Sequence, residues 1–255
     1  MRIMTDDGIS GFYLTEQQLQ NSPSRRDGID PKRELALRFE GSLLVREIGI
    51  KLRQPQVVMA TGQVLFHRFF SVISFASYDV RRAAKACEWL ASRLEECPRK
   101  LQDVLLLYRH IDRLHENLPQ PGLLSKDEFS KLQKDLFVAE EVVLRALGYV
   151  CNMNLPYIFI LVYLKELEAP FELQQVAWNI TNDSFCTTLC IRCKSHVVAC
   201  GIIQAAAQKL SIPLPKKWFE ILADVTWEEI EVVCQALHEF YRDHGCHFSP
   251  TSVLP

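Results

Sequence analysis

The chain has 255 residues, and its 29 lysines and arginines stand against 31 aspartates and glutamates, for a formal net charge of −2. This balance argues against a heavily basic nucleic-acid-binding protein, and the sequence has no apolar run of about 18 residues that would cross a membrane. Hydrophobic residues make up 48% of the chain, a globular value that argues against disorder over most of its length. The first residues lack the apolar stretch of a secretory signal, so we expect the nine cysteines to be reduced thiols in cytosol or nucleus.

Long segments carry apolar residues three or four positions apart, which is the period of an α-helix. After an extended N-terminal arm of residues 1–31, with a short amphipathic piece near Phe12–Leu19, we predict about ten helices and no convincing strand. We expect the helices, in chain order, at 31–52, 55–72, 77–96, 101–114, 125–148, 156–167, 170–189, 195–210, 216–223 and 226–244. Helix caps are predicted at Asp30, at Ser125 with Glu128, at Thr226 with Glu229, and at Gly148.

The segment 77–96 predicts a helix that is buried on most sides, because small and apolar residues surround most of its circumference. They are Ala83, Ala84, Ala86, Cys87, Leu90, Ala91 and Leu94. A second alanine-rich helix at 195–210 follows, and a shift of 116 residues aligns the order of helix types in the two halves. We therefore predict an all-α chain with two five-helix lobes at 32–151 and 152–244, an arm at 1–31 and a flexible tail at 245–255.

No motif assembles an active site. The sequence has neither of the glycine-rich phosphate loops GxGxxG and GxxxxGK[ST], and it lacks HExxH and GxSxG. The group Cys186, Cys190, Cys193 and His196 has partial zinc-ligand spacing, but the second half of a zinc module is missing, so we interpret it as cysteines packed near a helix junction. We predict no metal, no cofactor and no catalytic residue, and hence a binding or scaffold protein.

Two stretches identify the chain as resembling the cyclins. Residues 89–96, Trp-Leu-Ala-Ser-Arg-Leu-Glu-Glu, resemble the cyclin-box stretch LASK-x-EE, and residues 140–149 resemble E-x-x-[VIL]-L-x-x-L-x-[FY]. The segment 54–70 is narrower and resembles the L-type cyclins of the transcription and splicing branch. The stretch 178–184 agrees with this, and the arm at 12–30 looks like the plant version. The resemblance covers about residues 12–242.

The resemblance implies a double cyclin fold and a regulatory rather than catalytic chain. A cyclin binds a cyclin-dependent kinase and positions its mobile helix, and the L-type members imply a nuclear kinase acting in transcription and pre-mRNA splicing, with splicing or RNA polymerase II factors as further partners. In the family pattern, Arg93 stands at the box lysine and Glu140 at the box glutamate. The kinase-binding residues that the resemblance implies are Leu90, Arg93, Leu94, Glu95, Glu96, Glu140, Leu144 and Tyr149.

The chain departs from the family pattern at several positions. Arg93 brings a planar fork of donors where the family has the compact ammonium of lysine. The second repeat opens with Leu-Pro-Tyr-Ile at 155–158, where the L-type cyclins usually carry His-Pro-His-Lys, and Phe185 replaces an arginine. Family members often extend into an Arg/Ser-rich tail, whereas this chain stops at Pro255.

Two other functions stay open. One is a non-catalytic adaptor of cyclin-like fold in the transcription machinery, and the other is a metal- or redox-regulated module built on residues 186–196. Separately, two Ser-Pro sequences lie in what we expect to be flexible termini. Ser22-Pro23-Ser24-Arg25 matches the pattern that proline-directed kinases modify, so Ser22 is a candidate phosphorylation site, and Ser249-Pro250 is a second one.

Overall fold

A computed structural model describes residues 13–119 and 122–244, in which thirteen helices and no strand are found. The predictions for Phe12, for Ser249 and for the tail at 245–255 lie outside these residues. The helices are α1 Glu16–Gln20, α2 Pro23–Arg26, α3 Pro31–Lys51, α4 Gln56–Val72, α5 Val80–Leu94, α6 Leu101–His115, α7 Lys126–Ala146, α8 Tyr157–Glu166, α9 Phe171–Ser184, α10 Leu189–Arg192, α11 Ser195–Leu210, α12 Trp218–Ala223 and α13 Trp227–His244.

The chain folds into two compact units. Of the described residues, 17–151 form the first unit, and 13–16 together with 152–244 form the second. All ten predicted helices are present. Three helices of the described ranges are additional. The short helices α1 and α2 lie in the region expected to be an extended arm, and the single turn α10 follows α9, which ends at Ser184 and not at the predicted residue 189.

The first unit is built around α5, which packs against α3, α4 and α7. Its alanines at 83, 84, 86 and 91 are completely buried, which confirms the prediction of a helix covered on most sides. The close approach of α4 to its neighbours depends on Gly62, because a Cβ there would lie 2.9 Å from Cγ1 of Val45 on α3 and 3.4 Å from Cα of Glu88 on α5. The α4 helix in turn contributes the largest buried side chains of this core, Phe66, Phe69 and Phe70.

The second unit repeats this plan around α11, which packs against α8, α9 and α13. Ala199, Cys200 and Ala206 are fully buried in it. At Gly201 an added Cβ would meet Val233 of α13 at 2.5 Å, so a small residue again sets the distance between the central helix and its neighbour. The predicted order of helix types is therefore found in both units.

The predicted helix caps are confirmed. Asp30 accepts the backbone N–H of Lys32 at the start of α3, Ser125 and Glu128 form a reciprocal capping box at α7, and Thr226 and Glu229 exchange the same pair of bonds. Beyond α7, Gly148 has a φ of +60°, the left-handed conformation that favours glycine after a helix end.

The prediction that Ser22 lies in a flexible terminus is wrong. Ser22 is the N-cap of α2, with its Oγ accepting the backbone N–H of Arg25 at 3.2 Å, and only 3% of the residue is exposed. The cap and the burial arise together, because α2 lies against α3 and α4. Within the described ranges, no helix is both long and apolar enough to cross a bilayer.

Candidate partner-binding site

The strongest sequence candidates come together where α5 packs against α7. On α5, Trp89 and Arg93 are four residues apart and therefore share one helix face. On α7, Phe137, Glu140 and Leu144 are three and four residues apart and likewise share one face. The contact between the two helices brings these faces side by side, and we call the result the α5–α7 surface: Trp89, Arg93, Leu94, Phe137, Glu140, Leu144 and Tyr149.

An ion pair lies at the centre of this surface. Nη1 of Arg93 donates to Oε1 of Glu140 at 2.6 Å, with 52% of the arginine side chain exposed but only 10% of the glutamate. The Glu140 carboxylate is thus largely buried, while the Arg93 guanidinium is exposed to solvent. A guanidinium has five N–H donors, so the exposed part of Arg93 can donate to carbonyl groups of a partner while Glu140 holds it in place.

Trp89 is a third member of this group. Its indole Nε1 donates to Oε2 of Glu140 at 3.2 Å, so each carboxylate oxygen has its own donor. The guanidinium of Arg93 also lies 5.9 Å from the centre of the Trp89 ring, within the range of a cation–π contact. Both charged groups are consequently fixed by the same aromatic side chain.

Both helices end in left-handed residues next to the surface. After α5, Glu96 has a φ of +55°, and the N–H of Cys97 donates to the carbonyl of Ser92, which is the bond pattern of a Schellman cap. After α7, Tyr149 has a φ of +60° and its N–H donates to the carbonyl of Leu144. Six other non-glycine residues in the described part of the chain also have a positive φ next to a helix end, so these caps fix the ends of α5 and α7 and do not by themselves mark a site.

The other predicted contact residues take different positions. Leu94 and Tyr149 are exposed, at 43% and 60%, and the hydroxyl of Tyr149 donates to Glu141 at 2.8 Å, which lowers the pKa of that carboxyl. Leu144 is half-buried, and Glu96 is exposed. Glu95 accepts a hydrogen bond from the Thr61 hydroxyl at 2.6 Å, so it joins the end of α5 to α4.

One predicted contact residue, Leu90, is buried in the structure. The residue is only 5% exposed and belongs to the core of the first unit, since α5 is covered on the side where Leu90 lies. Leu90 therefore lies beneath the α5–α7 surface in this structure, and its contact with a kinase stays a prediction.

Apolar side chains and shallow depressions surround the ion pair. One depression is lined by Trp89, Arg93, Glu96 and Pro98. A second follows the outer face of α7, where the exposed Phe137 and Val138 are among the lining residues. Exposed apolar side chains rimmed by charges mark protein-interaction surfaces, and the arrangement offers contact and hydrogen bonding rather than catalysis.

The sequence analysis missed a buried carboxylic acid beside this surface. Glu88, next to Trp89 on α5, is 1% exposed, and the hydroxyl of Tyr108 donates to its Oε2 at 2.7 Å. Burial raises the pKa of Glu88 to about 7. The available signal was its position within a helix predicted to be covered on most sides, because a charge on such a helix must be buried with a partner.

The Cys186–His196 segment has no support as a metal site. Throughout residues 13–119 and 122–244, no three His, Cys, Asp or Glu side chains are placed to hold a metal ion. Burial also raises the pKa of the Cys193 thiol, which disfavours the thiolate that binds metals and reacts with oxidants.

Two solved structures share this fold. One is described as the yeast RNA Pol II CTD kinase CTDK-1 complex; it superposes with a TM-score of 0.78 at 17% identity and covers 96% of this chain and 79% of its own. The other is the CAK complex from Chaetomium thermophilum bound to ATP-gamma-S, with a TM-score of 0.65, 12% identity and coverage of 91% and 76%. The architecture is the all-α double cyclin fold.

Sequence relatives are more informative than the shared fold, because their identities to this chain are higher. Cyclin-L1-1 of Arabidopsis thaliana and of Oryza sativa subsp. japonica are each 45% identical over 236 residues, or 91% of this chain. Cyclin-L1 of Homo sapiens is 40% identical over 231 residues. The chain spans 56%, 55% and 44% of the lengths of these three relatives, and a scan of family models gave no match. The relatives that match this chain at 38–45% identity over 91% of its length are therefore L-type cyclins.

Proposed function

We propose that this chain is the regulatory subunit of a cyclin-dependent protein kinase, which it binds and activates without being catalytic itself. Its similarity to the L-type cyclins supports this role, as does the shared fold with a structure described as a CTD kinase complex. The observation that carries the proposal is the exposed guanidinium of Arg93, held by Glu140 and Trp89 among exposed apolar side chains.

The α5–α7 surface suits a partner that must be held in one of two conformations. A kinase becomes active when its mobile helix turns inward, so that a lysine–glutamate pair forms and the activation loop opens. A binding surface shifts that equilibrium only by contacts that are better in the active state. We propose that Arg93 donates to kinase backbone carbonyls near that helix, while Leu94, Leu144 and Tyr149 make the apolar contacts and Glu95 and Glu96 brace the corner.

The kinase that we propose acts in transcription and pre-mRNA splicing, and we propose a nuclear location for the complex. Similarity to the L-type cyclins supports this assignment, and the CTD kinase named in the yeast structure agrees with a substrate in the transcription machinery. Splicing or RNA polymerase II factors are the further partners that we propose.

The experiment is a pull-down of the tagged chain from nuclear extract, with kinase activity measured on an RNA polymerase II tail peptide and on a Ser-Arg-rich peptide. Arg93→Glu reverses the charge at the centre of the surface. Arg33→Glu is the matched control, because Arg33 is an exposed arginine of the same unit that also pairs with a glutamate, Glu40, at 3.4 Å.

The proposal predicts that the unaltered chain and the Arg33→Glu variant recover an active kinase, that Arg93→Glu recovers none, and that the preferred peptide indicates the pathway. Equal recovery with Arg93→Glu would contradict the proposed surface. A folded chain that recovers no kinase would contradict the function and favour the adaptor of cyclin-like fold.

A further inference from the structure

Residues 17–30 are attached to the first unit by buried polar contacts and by apolar side chains that are only partly buried. Within this segment only Ser22 and Ser24 are buried, and every apolar side chain is at least partly exposed. The helix α2, which carries both serines, lies against α3 and α4. A segment with so little apolar burial opens at a lower free-energy cost than the core around it.

The two buried serines make the contacts that hold the segment. The hydroxyl of Ser22 donates to Oε2 of Glu34 at 2.9 Å, and the Ser24 hydroxyl accepts the backbone N–H of Phe75 at 3.0 Å. Arg25 adds a bond from its Nε to the same Oε2 of Glu34, also at 3.0 Å. Glu34 is therefore the acceptor on which two side chains of the segment converge.

Glu34 is itself fixed on its other side. Its Oε1 accepts from Nε and Nη2 of Arg38, at 3.2 and 3.0 Å, and both residues are almost completely buried. The Arg38 guanidinium also donates to the carbonyls of His67 and Phe70 on α4. Arg38 is thus committed to fixed carbonyls, and it cannot turn toward a new anion without breaking those bonds.

We propose that Ser22 is the target of a proline-directed protein kinase, and that its phosphorylation releases residues 17–30 from the first unit. The sequence Ser22-Pro23-Ser24-Arg25 places proline directly after the serine and arginine three residues after it. The hydroxyl is closed to a kinase while α2 is docked, so the reaction takes place when the segment opens. This proposal does not depend on the function proposed above.

The chemical step is an ordinary phosphoryl transfer. Oγ of Ser22 attacks the γ-phosphorus of ATP, the bond from that phosphorus to the bridging oxygen of ADP breaks, and the hydroxyl proton passes to the carboxylate base of the kinase. ATP is the only co-reactant, and ADP leaves with the electron pair of the broken bond.

Phosphoserine does not fit the docked position. The modified side chain has lost the hydroxyl proton that it donated to Glu34, and it carries a charge of about −1.5 to −2 at neutral pH. That charge would lie against a buried carboxylate that is 2.9 Å from Oγ in the docked state. Like-charge repulsion and the loss of the hydrogen bond to Glu34 both favour the open segment, so the phosphate stabilises the open state in which it was added.

The test treats the purified full chain with a recombinant mitogen-activated protein kinase and magnesium ATP, and locates phosphate by mass spectrometry. Release is measured in two ways. One is the rate of tryptic cleavage after Arg25 and Arg26, and the other is hydrogen exchange at the Phe75 amide, which loses its acceptor when Ser24 leaves. Pro23→Ala is the matched control, because it keeps the Ser22 hydroxyl and removes the proline that the kinase requires.

We expect phosphate on Ser22, and we expect cleavage and exchange to rise at least about tenfold in the modified chain, equivalent to about 1.4 kcal/mol of segment opening. The Pro23→Ala variant should gain no phosphate at Ser22 and should show neither change after kinase treatment. A synthetic peptide of residues 17–30 shows whether the kinase accepts the sequence.

An unmodified Ser22 overturns the assignment of the site, whether or not the peptide is accepted. Phosphate on Ser22 without faster cleavage and exchange overturns the proposed release.

Discussion

The indole of Trp89 and the carboxylate of Glu140 are joined by a hydrogen bond of 3.2 Å, although the residues are 51 positions apart in the chain. The bond leaves the other carboxylate oxygen facing Arg93, 2.6 Å away. A side chain that is already held in its binding conformation loses less entropy when a partner arrives. Trp89 therefore acts as a positioning residue for the cation at the centre of the α5–α7 surface.

Replacing Trp89 with phenylalanine should weaken kinase binding by about tenfold, which corresponds to about 1.4 kcal/mol. The change keeps an aromatic ring at the position but removes the N–H that orients Glu140. The dissociation constant for the recovered kinase, measured by titration calorimetry, tests this expectation. Trp227→Phe is the matched control on α13, and it should leave the constant unchanged. Equal constants for both variants would remove Trp89 from the site.

Replacing Arg93 with alanine should weaken kinase binding much more than it lowers the free energy of unfolding. The arginine side chain is half-exposed, so its pair with Glu140 stabilises the fold by about 1 kcal/mol at most. Loss of one partner from a desolvated charge contact at an interface costs about 2–5 kcal/mol, so kinase binding should fall at least about thirtyfold. Urea unfolding and calorimetric titration of the same preparation give the two values. An unfolding loss as large as the binding loss would make Arg93 a structural residue.

Glu88 should give the fold a specific pH dependence. Burial raises its pKa to about 7, whereas a glutamate in the unfolded chain titrates near 4.3. The folded state therefore binds the proton more tightly. The contribution to stability is fully present below about pH 4.3 and is lost as the pH rises through about 7. The loss amounts to about 4 kcal/mol at most, at 1.36 kcal/mol per pKa unit.

The variant Glu88→Gln stays neutral and keeps an acceptor for the Tyr108 hydroxyl, so it should be more stable than the unaltered chain at pH 8 and similar to it near pH 5. Unfolding free energies from urea titrations between pH 5 and pH 8 measure the difference between the two proteins. A constant difference across that range would show that Glu88 does not titrate as described.

Gly41→Ala should destabilise the first unit by about 1–3 kcal/mol, the range for overpacking a filled core. A Cβ at Gly41 would lie 2.0 Å from Cζ of Phe66, whose ring is completely buried. Gly122→Ala is the comparison, because a Cβ there has no heavy atom within 4 Å. Thermal unfolding of both variants measures the effect, and a shift shared by the two would argue against the packing explanation.

Local sequence patterns were enough to predict most of the helical architecture. The helix α11 has the predicted bounds, 195–210, and α4 begins one residue after the predicted start. The caps at Asp30 and Ser125 were equally predictable from the sequence, because a cap depends on residues within one turn of each other. Residue periodicity reports which face of a helix is apolar, and this is a local property.

The contacts of polar side chains could not be predicted from local sequence patterns in the same way. Glu88 meets Tyr108 from another helix, and Ser22 meets Glu34 only because α2 folds back against α3. The sequence around a serine or a glutamate does not show which distant residue will pack over that side chain. For the same reason Leu90 was expected at the surface by resemblance, while the packing of α5 placed it in the core.

The polar attachment of residues 17–30 also has a consequence for the order of folding. The apolar contacts of α3, α4, α5 and α7 can form the folding nucleus of the first unit without this segment, since no fully buried apolar side chain comes from it. Contacts that form after the transition state alter the unfolding rate and leave the folding rate unchanged. Loss of the Ser24 hydroxyl should therefore shorten the lifetime of the docked protein, while a newly made chain reaches its five-helix core as quickly as before.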